Sequence, residues 1–201
     1  MPSSSVSLSA QRFWTAQQAV QNRCADSDTL LEGIDVSFWQ GEVDWDRVTA
    51  TDAAFAIVRS SYHRHTQDEQ IARNWSELAR VGMWRGAYHY LIPGADPYVQ
   101  ADLFLDGLVA GGGWRVSDLP PVLDIEDLRG RDLEGLTSDI EAWFATVERA
   151  TGERAMIYTG SYFWDATGLG ARFTDRPLWT CLLYTSPSPR DRTRSRMPSS
   201  A

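Results

Sequence analysis

Between Leu31 and Thr180, short runs rich in β-branched and aromatic residues alternate with stretches of helical periodicity. That alternation restricts the chain to an α/β architecture built on a parallel sheet. GIDVSFWQ (33–40), DAAFAIVRSSY (52–62), GAYHYLIP (86–93), LPPVLDIED (119–127) and RAMIYTGSY (154–162) read as five strands, and PLW (177–179) begins a sixth. Helices are expected between them over 71–83, 98–108 and 135–150. The first carries Ile71, Trp75, Leu78 and Ala79 on one face, and the last carries Ile140, Trp143, Phe144 and Val147. Right-handed crossovers wind such a series into a barrel or an open layered sheet. Both arrangements bind ligands at the C-terminal ends of the strands. Three strands end in acidic or hydroxylated residues: Asp35–Ser37, Asp124–Glu126 and Tyr158–Thr159.

Composition removes several function classes. The net charge of −8 leaves no basic face for nucleic acid, so no nucleic-acid partner is expected. No run approaches the roughly 18 apolar residues of a membrane span, so no membrane insertion is expected. No strand is followed by a GxGxxG or Walker pattern, which argues against a nucleotide cofactor. With 43% apolar residues the chain can bury one sizeable core.

The two ends differ from the middle. Residues 1–30 read as an N-terminal extension or linker without the charged start and apolar run of a signal peptide. From Cys181 the chain turns abruptly to Ser, Pro, Arg and Thr. Cys181–Asp191 and Ser195–Ala201 both back-translate, in one frame, into the two ends of a transposase-based sequencing adapter. The segment 181–201 is therefore expected to be translated adapter, with native sequence ending near Trp179 or Thr180. Cys24 is then the single native cysteine, and no intrachain disulfide is expected.

The triplet Asp124-Ile125-Glu126 carries the chemistry. Strand alternation sends Asp124 and Glu126 to one face, about 6–7 Å apart, and Ile125 to the other. Two carboxyls in one cleft do not both ionise cheaply, so one keeps a proton while its neighbour stays charged. Glycoside hydrolysis needs that division: an acid for the leaving oxygen and an anion beside the forming oxocarbenium centre. A D-x-E triplet alone is common and fits a surface pair at a strand end equally. The apolar PPVL before it and a third acid, Asp35, favour a site.

Asp35 lies in GIDVSFWQG, followed by VDW (43–45), AIVRSSY (56–62), RGAYHYLIP (85–93), PPVLDIE (120–126), IYTGSYFW (157–164) and PLW (177–179). In order and spacing these resemble the landmarks of glycoside hydrolase family 25, the Chalaropsis-type lysozymes and many phage endolysins, over about residues 31–180. The resemblance implies a TIM-like barrel of five strand–helix units followed by three strands, (β/α)5(β)3. Here it would be truncated, its last two strands missing together with a W-Q-Y-type segment and a late acidic residue. It also implies cleavage, with retention, of the β-1,4 bond between N-acetylmuramic acid and N-acetylglucosamine. Glu126 would be the general acid/base. Asp124 would be the nucleophile or the anion orienting the substrate's acetamido group, and Asp35 would line the same site. The expected partner is a peptidoglycan glycan strand, met by a monomer without cofactor or metal. Action at the bacterial cell wall follows, by a route left open: a phage enzyme released through a holin, or a bacterial gene with a misassigned start.

Tyr88 and Tyr90 share a strand face and are candidates to stack on sugar rings, as are Tyr158 and Trp39. For Tyr88 a core role is equally compatible. Trp75 and Trp143 are expected in the core, and His89 in a hydrogen-bonded second layer. His63-Arg64-His65 reads as a solvated loop, Glu141 and Glu148 as exposed helix charges, and Ser161 lies in no nucleophile elbow. Two rival functions remain. A binding barrel that has lost catalysis would lack the Asp35, Asp124 and Glu126 set. A chitin-type glycosidase would carry D-x-x-D-x-D-x-E where this chain reads L-P-P-V-L-D-I-E.

Overall fold

The computed structural model describes residues 31–181; the extension expected over 1–30, Cys24 and the tail from 182 onward lie outside the described residues. The chain runs β1 (Glu32–Val36), α1 (Trp45–Thr49), β2 (Ala53–Tyr62), β3 (Thr66–Gln67), α2 (Ile71–Val81), β4 (Trp84–Tyr90), α3 (Pro97–Ala110), β5 (Val122–Asp124), α4 (Leu133–Thr151), β6 (Met156–Gly160), α5 (Ser161–Thr167) and β7 (Leu178–Cys181). One seven-stranded sheet orders them β1-β2-β4-β5-β6-β7, all parallel, with the short β3 antiparallel to β2. Side chains from β1, β2, β4, β6 and β7 line a single cavity of about 330 Å³, so the sheet curls into a half-barrel around a lumen.

Helices α2, α3 and α4 cover the outer face. Trp75 and Leu78 from α2, Phe104 and Leu108 from α3, and Ile140, Trp143, Phe144 and Val147 from α4 are all buried there. They meet Ala56, Val58, Ala87, Leu123 and Ile157 of the strands. The helical faces expected from periodicity are the buried ones. Helix boundaries follow local chemistry: Asp96 and Asp132 cap α3 and α4 by accepting from backbone N–H groups, and Pro97 opens α3 at its first turn. Gly82 and Gly152 end α2 and α4 in the left-handed region, with φ of 72° and 75°.

Several strands are shorter than their sequence runs. GIDVSFWQ is extended only to Val36, because Ser37 and Gln40 form a capping box that turns Phe38–Gln40 into a 3-10 helix. LPPVLDIED pairs from Val122 only, since Pro120 and Pro121 have no N–H to donate. The fifth run stops at Gly160, where Ser161 begins α5. Glu148, expected as an exposed charge, instead pairs with Arg176 and accepts from the Ala155 N–H at 2.7 Å, pinning the entry to β6. No helix among the described residues is long and apolar enough to cross a membrane.

Candidate active site

Sheet register brings the acidic residues together. Asp35 on β1 pairs with Ile57 on β2, Arg59 on β2 with Tyr88 on β4, and Tyr90 on β4 with Asp124 on β5. Asp124 in turn pairs with Tyr158 on β6, and Tyr158 with Trp179 on β7. Asp35, Tyr88, Asp124, Glu126, Tyr158 and Trp179 line one cavity of about 150 Å³ at the C-terminal end of the sheet. Ile125, between the two acids, points away into the helix-side core and is 1% exposed.

The paired carboxyls sit in unlike surroundings. Asp124 is the last residue of β5, 5% exposed, and its Oδ1 has no hydrogen-bond partner. Glu126 lies just past the strand end, solvent-exposed and within hydrogen-bonding reach of Asp124. Burial, then the charge and hydrogen bond of Glu126, push the Asp124 carboxyl up to about 9 against the opposing pull of Arg59. Asp124 is thus a carboxyl that resists ionisation, although the resemblance makes Glu126 the acid. Burial also raises the Tyr88 and Tyr158 phenols, which remain neutral donors facing the acids.

Five of the seven residues singled out from sequence meet in this cavity; Tyr90 and Trp39 do not line it. Tyr90 stands at its edge, half-buried, with its phenol raised by burial and by the nearby charges of Glu126 and Asp124. Trp39 is 76% exposed on the 3-10 turn, against Phe38 with ring centroids 4.3 Å apart. It leaves the cleft because the strand ends three residues earlier, at Val36. Trp179, in sequence only the start of a strand, comes by its register with Tyr158 to a ring distance of 4.7 Å, one ring edge-on to the other. Arg59, inside AIVRSSY, is a residue that only strand alternation from the lumen-lining Ile57 signals in the sequence.

Around this set, His89 and Asp139 are both held by hydrogen bonds. His89 is fully buried between the Ser61 hydroxyl (2.8 Å) and Gln100 Oε1 (3.1 Å), and burial lowers it to about 4. Asp139, on α4, accepts from the Gly94 N–H and from Arg131, tying the loops after β4 and β5 together beside the cleft. His63, Arg64 and His65 are exposed, and no cluster of three metal-binding side chains occurs among the described residues.

Comparison with known proteins agrees with this geometry. Residues 34–197 match the model of glycosyl hydrolases family 25, a range that runs on into the tail expected to be foreign. Lysozyme M1 of Streptomyces globisporus is 32% identical over 163 residues, covering 74% of this chain and 53% of that protein. The uncharacterized protein YegX of Escherichia coli K12 is 34% identical over 159 residues, covering 77% and 57%. The chain therefore spans little more than half the length of these curated relatives. Among solved structures, a muramidase from Acremonium alcalophilum superposes with a TM-score of 0.70 at 28% identity, over 79% of this chain and 80% of that one. This chain belongs to glycosyl hydrolase family 25.

Proposed function

We propose that the protein is a peptidoglycan muramidase that cleaves the β-1,4 bond between N-acetylmuramic acid and N-acetylglucosamine with retained configuration, acting outside the cell at the bacterial wall. The observation that carries this reading is the meeting of Asp35, Asp124 and Glu126 in one aromatic-lined cavity at the strand ends. Glu126 donates its proton to the glycosidic oxygen as the C1–O bond breaks. Asp124 stands on the sugar side as nucleophile, or as the anion that aligns the acetamido oxygen for attack on C1. Water then completes hydrolysis, with Glu126 taking back a proton. Retention belongs to this reading: a retaining pair stands about 5–5.5 Å apart, whereas inversion needs about 6.5–9.5 Å to admit a water. The phenols of Tyr88 and Tyr158 and the rings of Tyr90 and Trp179 offer hydrogen bonds and stacking faces to successive sugars.

The fold reading is a (β/α)5(β)3 barrel lacking its last two strands. Its support is that β1 pairs only with β2 and β7 only with β6, so both sheet edges are unpaired among the described residues. The test is digestion of purified peptidoglycan followed by borohydride reduction and mass spectrometry. Reduced N-acetylmuramic ends are expected, and Glu126→Gln lowers their release about a hundredfold or more. Reduced N-acetylglucosamine ends would make the enzyme a glucosaminidase instead. Full activity in the Gln variant would remove Glu126 from the mechanism.

A further inference from the structure

Strand β5 is three residues long, and Glu126 stands beyond its last ladder pair, Asp124 with Tyr158. A strand this short frays at its end unless other bonds hold it. On the β4 side the Leu91 N–H donates to the Asp124 carbonyl at 2.9 Å, and on the β6 side the Ile125 N–H donates to the Tyr158 carbonyl at 2.9 Å. The next acceptor, the Ile125 carbonyl, belongs to the peptide unit that leads into Glu126. It receives the hydroxyl of Thr159 at 2.6 Å. This bond is buried: Thr159 is 0% and Ile125 1% exposed. Strand alternation accounts for the placement. Tyr158 lines the acidic cavity, so Thr159 turns to the helix side, as the core residue Ile157 does. Its β-branch restricts χ1, which holds the hydroxyl toward the neighbouring strand. Beyond Glu126 the backbone is tied again, where Asp127 Oδ1 accepts from the Arg129 N–H at 2.8 Å.

We propose that Thr159 is a positioning residue of the reaction: through the Ile125 carbonyl it fixes the peptide from which the Glu126 side chain projects. The proposal rests on the muramidase reading above, in which Glu126 is the acid/base. The Ile125–Glu126 peptide is planar, so anchoring its oxygen also orients the bond from its nitrogen to the Glu126 Cα. A general acid must come within hydrogen-bond reach of the leaving oxygen, and a misplacement of about 1 Å costs roughly a hundredfold in rate. Glu126 is solvent-exposed, so packing around its side chain supplies little of that precision. Asp124 needs no such tie, because it is 5% exposed and lies inside the β5 ladder. Thr159 does not line the cavity, so it acts through Glu126 and not on the sugar. Its influence passes through one hydrogen bond and one peptide unit.

Two substitutions that differ by one oxygen, made in the full chain, test the assignment: Thr159→Ala removes the hydroxyl and Thr159→Ser keeps it. In the peptidoglycan digest the Ala variant is expected to lose kcat about tenfold or more with KM within about twofold, and Ser to recover most of the wild-type kcat. Thr159→Val fills the site without a donor and carries the comparison if the Ala variant does not fold. Thr146, whose hydroxyl bonds the Ala142 carbonyl within α4, is the control, and Thr146→Ala is expected to leave kcat unchanged. Carbon-13 carbonyl labelling of Ile with nitrogen-15 labelling of Glu gives one NMR signal for 125–126 and one for 140–141 in α4. The first is expected to move upfield in the Ala variant and to stay near its wild-type position in Ser, while the second moves in neither. A signal for 125–126 that does not move in the Ala variant overturns the proposal, because the hydroxyl then holds nothing. A signal that moves while kcat stays at the wild-type value makes Thr159 a residue of the fold alone and overturns it too, as does a rise in KM at unchanged kcat. A wild-type chain that releases no reducing ends overturns the muramidase reading and, with it, the catalytic meaning of Thr159. An active wild type with an equally active Ala variant overturns the role of Thr159 alone.

Discussion

The Asp124 carboxyl keeps its proton up to about 9 in the folded chain, whereas an unfolded aspartate ionises near 3.8. Between those values the unfolded chain has released a proton that the folded chain still holds. The stabilising contribution of the neutral carboxyl is therefore fully present below 3.8 and is lost as pH rises toward 9. Asp124→Asn has nothing to titrate there. It is expected to melt above wild type at pH 8, with a gap of roughly 4 kcal/mol near neutrality that closes at pH 4, and to lose peptidoglycan hydrolysis. A gap equal at both pH values would show that Asp124 is not held neutral by its surroundings. Destabilisation of this kind is common where a charge is kept for chemistry rather than for folding. The pairing of Asp124 with Glu126 was legible from a three-residue spacing. Which of the two is buried was not, because that depends on β5 ending at Asp124 and leaving Glu126 in solvent.

At the level of elements, the clamp that aligns β2, β4 and α3 beneath the site is the buried Ser61–His89–Gln100 chain. Gln100 also accepts from the Ile92 N–H and donates to the Ile92 carbonyl, fixing the turn that leaves β4. A neutral imidazole is required here, and burial lowers His89 to about 4. Because the folded value lies below the ordinary 6.5, the stability this histidine contributes is present above pH 6.5. It is lost as pH falls toward 4, by about 3 kcal/mol in all. The urea midpoint of the wild type is expected to drop further between pH 7 and pH 4.5 than that of His89→Gln; equal drops would mean that His89 charges freely in the folded chain. Strand and helix succession was readable because the apolar periods differ so clearly on either side of Gly82 and Gly152. The short α1 (Trp45–Thr49) and the two-residue β3 escaped notice. Neither is long enough to show a period, and α1 is set by its Asp44 cap and by Trp45 docking its indole N–H on Asn74. Strand ends were overrun for a related reason: hydrophobic runs continue past the last ladder bond when a cap such as Ser37, or a proline pair such as Pro120–Pro121, redirects the backbone.

At the scale of the whole molecule, the sheet curls but does not close among the described residues. Leu31, Gly33, Phe55, Ile57, Trp84, Met156 and Trp179 line the lumen cavity of about 330 Å³, and Leu178 on the edge strand β7 is 41% exposed. In a closed barrel those side chains pack against strands on the far side; among the described residues nothing pairs with the outer edges of β1 and β7, a geometry prone to association and low stability. The lumen is apolar and large enough for an aromatic probe, so the 201-residue chain is expected to raise the fluorescence of anilinonaphthalene sulfonate in the native state. A version carrying two further strands between β7 and β1 is expected to lose that signal and to melt several degrees higher. Each Å² of apolar lumen so covered contributes roughly 25 cal/mol. Closure would also steady Trp179 and Asp35, which stand on the two edge strands of the described sheet and line the acidic cavity together. Activity should therefore rise with the melting temperature, through kcat more than through KM. A chain that binds no probe and gains nothing from the added strands would mean that the lumen is already covered, and the truncated-barrel reading would fall.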